Sequence, residues 1–231
     1  MRKVLICTPV SDGKVDIRYV DSLIRTLRAA PEGMAVDFLF IAHDALIQRV
    51  RNDLLVSAVQ SEVDDAVFID CDQAWAPGWF YELLKHEVDV VGLPVPKKND
   101  VEQYNVKCVS FEPKIREDGL MQVDGVGTGF LRLTKKALKH VWDNSPKYVE
   151  NGIEKRMAFN VEVVDGELYG EDIAFCKLLA PLGVWLDTRF TAPHIGFKVY
   201  NGDFTAWLPA VLEQIKKQAV KPEPVVSPDK A

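Results

Sequence analysis

The sequence predicts an α/β fold, a mixed central sheet flanked by helices, from three observations. Apolar runs at residues 4–7 and 66–69 have the character of buried strands, and the largely apolar stretches 36–41 and 88–93 also read as strands. Between them lie segments whose apolar residues recur at helical spacing. Strand–helix alternation of this kind implies parallel strands joined by right-handed crossovers, with a ligand crevice at the carboxyl ends of the strands.

Taken in order, residues 4–7 close on Thr8-Pro9 and form the first strand. Val20, Leu23, Ile24 and Leu27 place a helix over about 15–30, and residues 36–41 form the second strand. Asp44 precedes a helix carrying Leu46, Val50, Leu54 and Ala58 on one face. The third strand ends in Asp70-Cys71-Asp72, and Pro77-Gly78 opens a short helix through about Glu87, with proline tolerated in the first turn. Residues 88–93 form the fourth strand. Thr8, Asp44 and Asp70 all fall at carboxyl ends, which gives the first half the form of a nucleotide-binding half-domain.

The second half is less regular. Residues 106–111, 129–133 and 159–164 read as strands, and Asp165-Gly166 is a hairpin turn signal. Thr134 can cap a helix through about Trp142. A helix over 171–182 is stopped by Gly183, a short strand follows at 184–186, and 204–219 is a terminal amphipathic helix. One domain over 1–219 is expected. The tail, 220–231, has too little apolar content to pack and is expected to be disordered.

The 231 residues suffice for one substantial core, and 48% hydrophobic with 27% charged residues is ordinary for a soluble globular chain. A net charge of −6 argues against wrapping nucleic acid, though not against a nucleic-acid acceptor held by a local patch. Cys7, Cys71, Cys108 and Cys176 are scattered without paired spacing, which gives no support to zinc or redox pairs and speaks for a reducing compartment. The N-terminal apolar run is far too short for a signal peptide. No stretch approaches the ~20 apolar residues of a membrane helix, so a cytoplasmic protein is expected.

The strongest chemical signal is Asp70-Cys71-Asp72. Side chains alternate along an extended chain, so the two carboxylates point one way and Cys71 the other. Like charges so placed repel unless a cation lies between them, and a divalent metal bridging to phosphate meets that need with hard oxygen ligands. A surface turn would also use Asp here. The apolar strand before the couplet and Trp75-Ala76-Pro77-Gly78-Trp79 after it favour a ring-lined site for sugar or base.

Glu171-Asp172 opens a helix, a place acidic residues also take for dipole reasons; as a base, such a carboxylate must touch the acceptor hydroxyl. His194, taken alone, reads as structural. With the Asp couplet it completes an oxygen and imidazole set that suits Mn²⁺ or Mg²⁺ better than structural zinc. Gly125-Val126-Gly127-Thr128-Gly129 lacks the spacing and lysine of a phosphate loop, and its glycines let the backbone pass close to donor sugar and acceptor. Arg49, Arg51 and Asn52 read either as a solvated helix face or as donor contacts, and Lys97-Lys98 as phosphate partners or a charged loop. His43, His86 and His140 receive no role.

Together these stretches resemble the GT-A-fold glycosyltransferases of the family-2-like kind found in bacteria and phages. The matching segments are Leu46-Ile47-Gln48-Arg49-Val50-Arg51-Asn52, Phe68-Ile69-Asp70-Cys71-Asp72, Gly127-Thr128-Gly129-Phe130, Gly170-Glu171-Asp172-Ile173-Ala174-Phe175-Cys176, and His194-Ile195-Gly196 with Tyr200-Asn201-Gly202-Asp203. The resemblance implies a single GT-A-type domain with a Rossmann-like nucleotide-binding half. It implies transfer of a sugar from a nucleotide-diphosphate sugar to a hydroxyl acceptor, with Mn²⁺ or Mg²⁺ as cofactor. Asp70 and Asp72 would form the DxD motif on metal and donor diphosphate, and His194 would be the late metal ligand. Asp172 would be the base, with Glu171 beside it. Thr8 and Pro9 would lie against the nucleotide, Asp44 in the same crevice, Arg51 near the donor, and Gly127, Thr128 and Gly129 along the donor sugar. The acceptor stays open among glycan, lipid, protein, small molecule and modified DNA base, as does inversion or retention.

Two other readings compete. A haloacid-dehalogenase-type phosphohydrolase also uses a strand-end Asp-x-Asp, but closing the first strand and followed by Thr or Val; here the couplet closes the third strand and Ala74 stands at that place. A non-catalytic nucleotide-sugar-binding protein would keep the fold without the activity.

Overall fold

The computed structural model describes residues 1–110 and 112–219; the tail over 220–231 lies outside the described residues. In chain order the elements are β1 (Arg2–Val10), α1 (Ile17–Arg28), β2 (Met34–Ala42), α2 (Ile47–Gln60), β3 (Asp65–Ile69), α3 (Pro77–Lys85), β4 (Val90–Gly92), β5 (Val106–Cys108), β6 (Leu120–Val126) and β7 (Phe130–Thr134). They continue with α4 (Lys135–Asn144), β8 (Lys147–Glu150), β9 (Ile153–Arg156), β10 (Glu162–Val164), β11 (Glu167–Tyr169), α5 (Glu171–Leu179), β12 (Val184–Asp187), β13 (His194–Ile195), β14 (Val199–Tyr200) and α6 (Phe204–Ala219).

An eight-stranded mixed sheet runs β2-β1-β3-β7-β4-β12-β6-β5. β1 lies parallel to both β2 and β3, as the alternation predicts. The parallel run then stops. β7 inserts between β3 and β4, antiparallel to both, and β6 pairs antiparallel with β12 and β5.

Alternation along the central strands explains why their sequences are apolar throughout. Leu5, Cys7, Ala66 and Phe68 join one core with residues of α2, α4, α5 and α6. Val4, Ile6, Val67 and Ile69 join the other with Tyr19 and Leu23 of α1 and Phe80, Leu83 and Leu84 of α3. Each strand is thus sealed on both faces, the condition for a continuous hydrophobic run.

Local chemistry sets several boundaries. Thr134 accepts from the Ala137 amide at 3.2 Å and caps α4. Asp165 and Gly166, with φ of 53° and 82°, make the two-residue turn of the β10–β11 hairpin. Helix α5 passes into a 3₁₀ turn at Ala180–Leu182, ended by Gly183 at φ 74°.

Three expectations need correction. Of residues 159–164 only Glu162–Val164 is a strand. The buried Asn52 accepts from the Ala158 and Phe159 amides at 3.0 and 2.9 Å and donates to the Phe159 carbonyl at 3.1 Å, so a side chain does there what a neighbouring strand would do. The hairpin β8–β9, turning at Asn151-Gly152, and strand β6 escape the periodicity reading. Of the strand expected over 106–111, Val106–Cys108 is a strand and residues 109–110 are not, while residue 111 lies outside the described residues.

Candidate active site

The end of β3, the loop before β7, the N-terminus of α5 and the β13 segment enclose a cleft of about 460 Å³. Arg51, Asp70, Gln73, Lys97, Lys98, Asn105, Gly127, Thr128, Gly129, Glu171, Asp172 and His194 line it, with Val95 and Pro96 as its apolar wall. It lies at the carboxyl end of β3, where an α/β sheet places its ligands.

Asp70 follows Phe68 by two residues and so continues toward the face that α2 and α5 cover. Its Oδ1 accepts from Arg51 Nη2 at 2.9 Å, and Arg51 Nη1 donates to Glu171 Oε1 at 2.7 Å. The Arg51 side chain is only 6% exposed. A buried guanidinium thus joins two carboxylates that stand about a hundred residues apart in the chain, the fork geometry to which arginine is suited. Arg51 is no solvated face; Arg49, exposed and paired with Asp44, is.

Asp72 is held differently. The Ile195 amide donates to the Asp72 carbonyl at 2.8 Å and the Ala74 amide to the Pro193 carbonyl at 3.2 Å, zipping residues 193–195 onto the couplet. His194 Nε2 therefore stands 3.4 Å from Asp72 Oδ1, while His194 Nδ1 donates to the Pro96 carbonyl at 2.9 Å. Lys98 donates to Asp72 Oδ2. Burial opposes the charge on Asp72, but His194 and Lys98 outweigh it and hold the carboxyl down at about 2.

Asp72 Oδ1 is buried and has no hydrogen-bond partner among the described residues. With Nδ1 donating to a carbonyl, His194 Nε2 faces that oxygen, and the two atoms need a proton or a cation between them. This pair fits a hard divalent ion that draws further ligands from phosphate or water. Asp70, engaged by Arg51, does not close the set: among the described residues no three His, Cys, Asp or Glu side chains converge on one metal position.

Asp172, at the first turn of α5, accepts from its neighbour's amide, Ile173, at 2.7 Å and from Asn105 Nδ2. Burial, then the adjacent Glu171 charge, raise its pKa above the ordinary carboxylate range. Of the two glycines beside these carboxylates, only Gly129 meets a close contact. A Cβ at Gly129 would lie 3.2 Å from Asp70 Oδ2, and one at Gly127 3.7 Å from Asp172 Oδ2.

Thr8, Pro9 and Asp44 do not line this cleft. Thr8 is fully buried, its hydroxyl bonded to Tyr19, because it continues the Val4–Ile6 face toward α1. Pro9 stays within β1 opposite Ile41, and Asp44 binds Arg49 and the Leu46 amide at the start of α2. Gln73 and Asn105 line the cleft although the sequence reading passed over them; Gln73 directly follows the couplet, whereas nothing local marks Asn105.

No family model matches the chain, and no curated protein matches its sequence. Among solved structures it is similar to A197 from STIV, with a TM-score of 0.53 and 17% identity over 85% of this chain and 86% of that one. Weaker likeness extends to CMP:2-keto-3-deoxy-manno-octonic acid synthetase complexed with CTP, TM-score 0.42 and 12% identity over 94% of this chain and 100% of that one. It extends also to 4-diphosphocytidyl-2C-methyl-D-erythritolsynthase from Anaerococcus prevotii DSM 20548, TM-score 0.41 and 10% identity over 92% of this chain and 96% of that one. The likeness to A197 shows a shared fold.

Proposed function

We propose that this protein transfers a sugar from a nucleotide-diphosphate sugar to a hydroxyl acceptor with the help of a divalent metal. The observation that carries the reading is that His194, 3.4 Å from Asp72 just behind the cleft wall, lines the same cleft as a carboxylate of raised pKa, Asp172. The first suits a cation and the diphosphate it binds; the second suits a proton acceptor. Asp72 and His194 would hold Mn²⁺ or Mg²⁺, which when bound supplies Lewis-acid neutralisation of the diphosphate. Lys97 and Lys98 place positive charge at the same wall.

In the inverting form of the reaction Asp172 takes the acceptor's proton while the new glycosidic bond forms and the nucleoside diphosphate leaves with the electron pair of the broken bond. Asn105 and the Ile173 amide orient that carboxylate. Arg51 bridges Asp70 and Glu171 and offsets one of their two charges, so the cleft presents less negative charge to an anionic donor. The Arg51 bond to Asp70 also disfavours a phosphohydrolase, whose nucleophilic Asp must be free to attack.

The test is a screen of UDP-, GDP- and dTDP-sugars for metal-dependent thermal stabilisation and slow donor hydrolysis, since a ligand of the native state raises the melting temperature by mass action. Stabilisation by one nucleotide class that needs Mn²⁺ or Mg²⁺ supports the reading. No stabilisation, or release of inorganic phosphate from phosphomonoesters instead, overturns it.

A further inference from the structure

Two side chains in the cleft are left over once metal, base and ion-pair roles are assigned. Gln73 is fully buried, yet neither its Oε1 nor its Nε2 has a hydrogen-bond partner among the described residues; Thr128, 1% exposed, has an equally unpartnered Oγ1. Both line the cleft. Buried polar atoms are overwhelmingly paired, and leaving one unpaired costs ~1–3 kcal/mol, so three such atoms at one wall of one cavity call for a reason. A structural glutamine would bond to backbone. This one has no such partner among the described residues.

We infer that Gln73 and Thr128 form a hydroxyl-reading subsite that selects the sugar ring of the donor, an inference resting on the nucleotide-sugar reading above. A primary amide offers an acceptor and donors side by side, the complement of two neighbouring ring hydroxyls, and Thr128 adds a third group that can give or take. The surroundings suit a sugar. A Cβ at Gly129 would lie 3.2 Å from Asp70 Oδ2, 3.6 Å from Gln73 Nε2 and 3.7 Å from Val95 Cγ2, so the bare glycine backbone packs close beside a carboxylate, an amide and a methyl group. Polar edges and an apolar wall match the hydroxyls and C–H face of a pyranose. Sites built to bond a substrate hydroxyl reject analogues lacking it by large factors, because their own buried groups are then unpaired.

The experiment is calorimetric titration, with Mn²⁺, of UDP, GDP and dTDP and of UDP-glucose, UDP-galactose, GDP-mannose and dTDP-glucose, on the wild type and on Gln73→Leu and Thr128→Val. The readout is the sugar increment, the ratio of the nucleotide's Kd to that of its sugar. Each variant should lower the increment for the preferred sugar about 3–10-fold, the loss of one or two ordinary hydrogen bonds, and leave nucleotide affinity unchanged. Melting temperatures should hold or rise, since an apolar near-isostere removes an unpaired buried group; a structural role would lower them. Gly129→Ala, whose methyl would press on Gln73 Nε2 and Asp70 Oδ2 while leaving both subsite side chains in place, should also shrink the increment and serves if a pair variant fails to fold. An unchanged increment in folded variants overturns the subsite while nucleotide binding keeps the donor reading. Failure of the wild type to bind any nucleotide overturns both.

Discussion

Asp172→Asn separates chemistry from structure most sharply. Asparagine keeps the shape: its oxygen can still accept from the Ile173 amide, and its NH2 can donate to Asn105 once that side-chain amide turns its oxygen inward, so the local contacts survive. What disappears is basicity. A positioned general base contributes ~10²–10⁴ in rate, equivalent to ~3–5 kcal/mol of barrier. Stability should move the other way. Burial and Glu171 raise the Asp172 pKa, which means the fold disfavours its charged form; the penalty is full above the folded pKa and vanishes only below the unfolded value. The neutral variant should therefore melt no lower than wild type at pH 7. The assay is transfer rate against pH at saturating donor and metal, with melting temperature measured in parallel. Wild type should show an acid limb at a pH above the ordinary carboxylate range, because Asp172 must be ionised to act. Asp172→Asn should lose the limb and 10²–10⁴ of the rate while donor affinity holds. Transfer surviving within a few-fold, or a limb that persists in the variant, would refute the assignment and leave Asp172 a helix-start carboxylate.

Other outcomes follow from the same geometry. Asp72→Asn should abolish the metal-dependent part of donor binding, read by calorimetry with and without Mn²⁺, while circular dichroism stays unchanged. Arg51→Ala strands Asp70 and Glu171 and should destabilise by about 3 kcal/mol, a fall in melting temperature of ~6–12 °C, with Arg51→Lys recovering only part because one ammonium cannot serve both carboxylates as the fork does. Away from the cleft, Asp187 is fully buried; burial opposes its charge, but bonds from Arg189 and His86 outweigh it and lower its pKa. The stabilisation it gives is complete above its unfolded pKa of about 3.9 and lost as pH falls through the folded value, so melting curves of Asp187→Asn and wild type should differ at pH 7 and converge in strong acid.

Much of this molecule is legible locally. The first and third strands announce themselves because each is sealed on both faces, and the Asp165-Gly166 turn, the Thr134 cap and the Gly183 stop are decided by backbone chemistry within a few residues. The acidic couplet is legible for the same reason: carboxylates that end a buried strand can only stand at the rim of the sheet. Asp172 and His194 stand out by residue type and neighbours. What they touch does not.

Tertiary structure alone decided the rest. Placing β7 between β3 and β4 is a non-local choice among strands of similar pattern, and it brings Gly129 against Asp70. Arg51 reaches Asp70 across 19 residues and Glu171 across 120, and His194 meets Asp72 because two backbone bonds zip distant segments together. Asn52 imitates a strand for residues 158 and 159. Thr8 shows the opposite case. Its position at a strand end suggested a ligand contact, but strand alternation turns it toward α1 and its hydroxyl pairs with Tyr19 in the core. Composition and periodicity determine which face of an element is buried, since burial of apolar area is non-directional and read from neighbours in sequence. Which polar side chains then meet depends on directional contacts between elements, and those exist only after the sheet order is set.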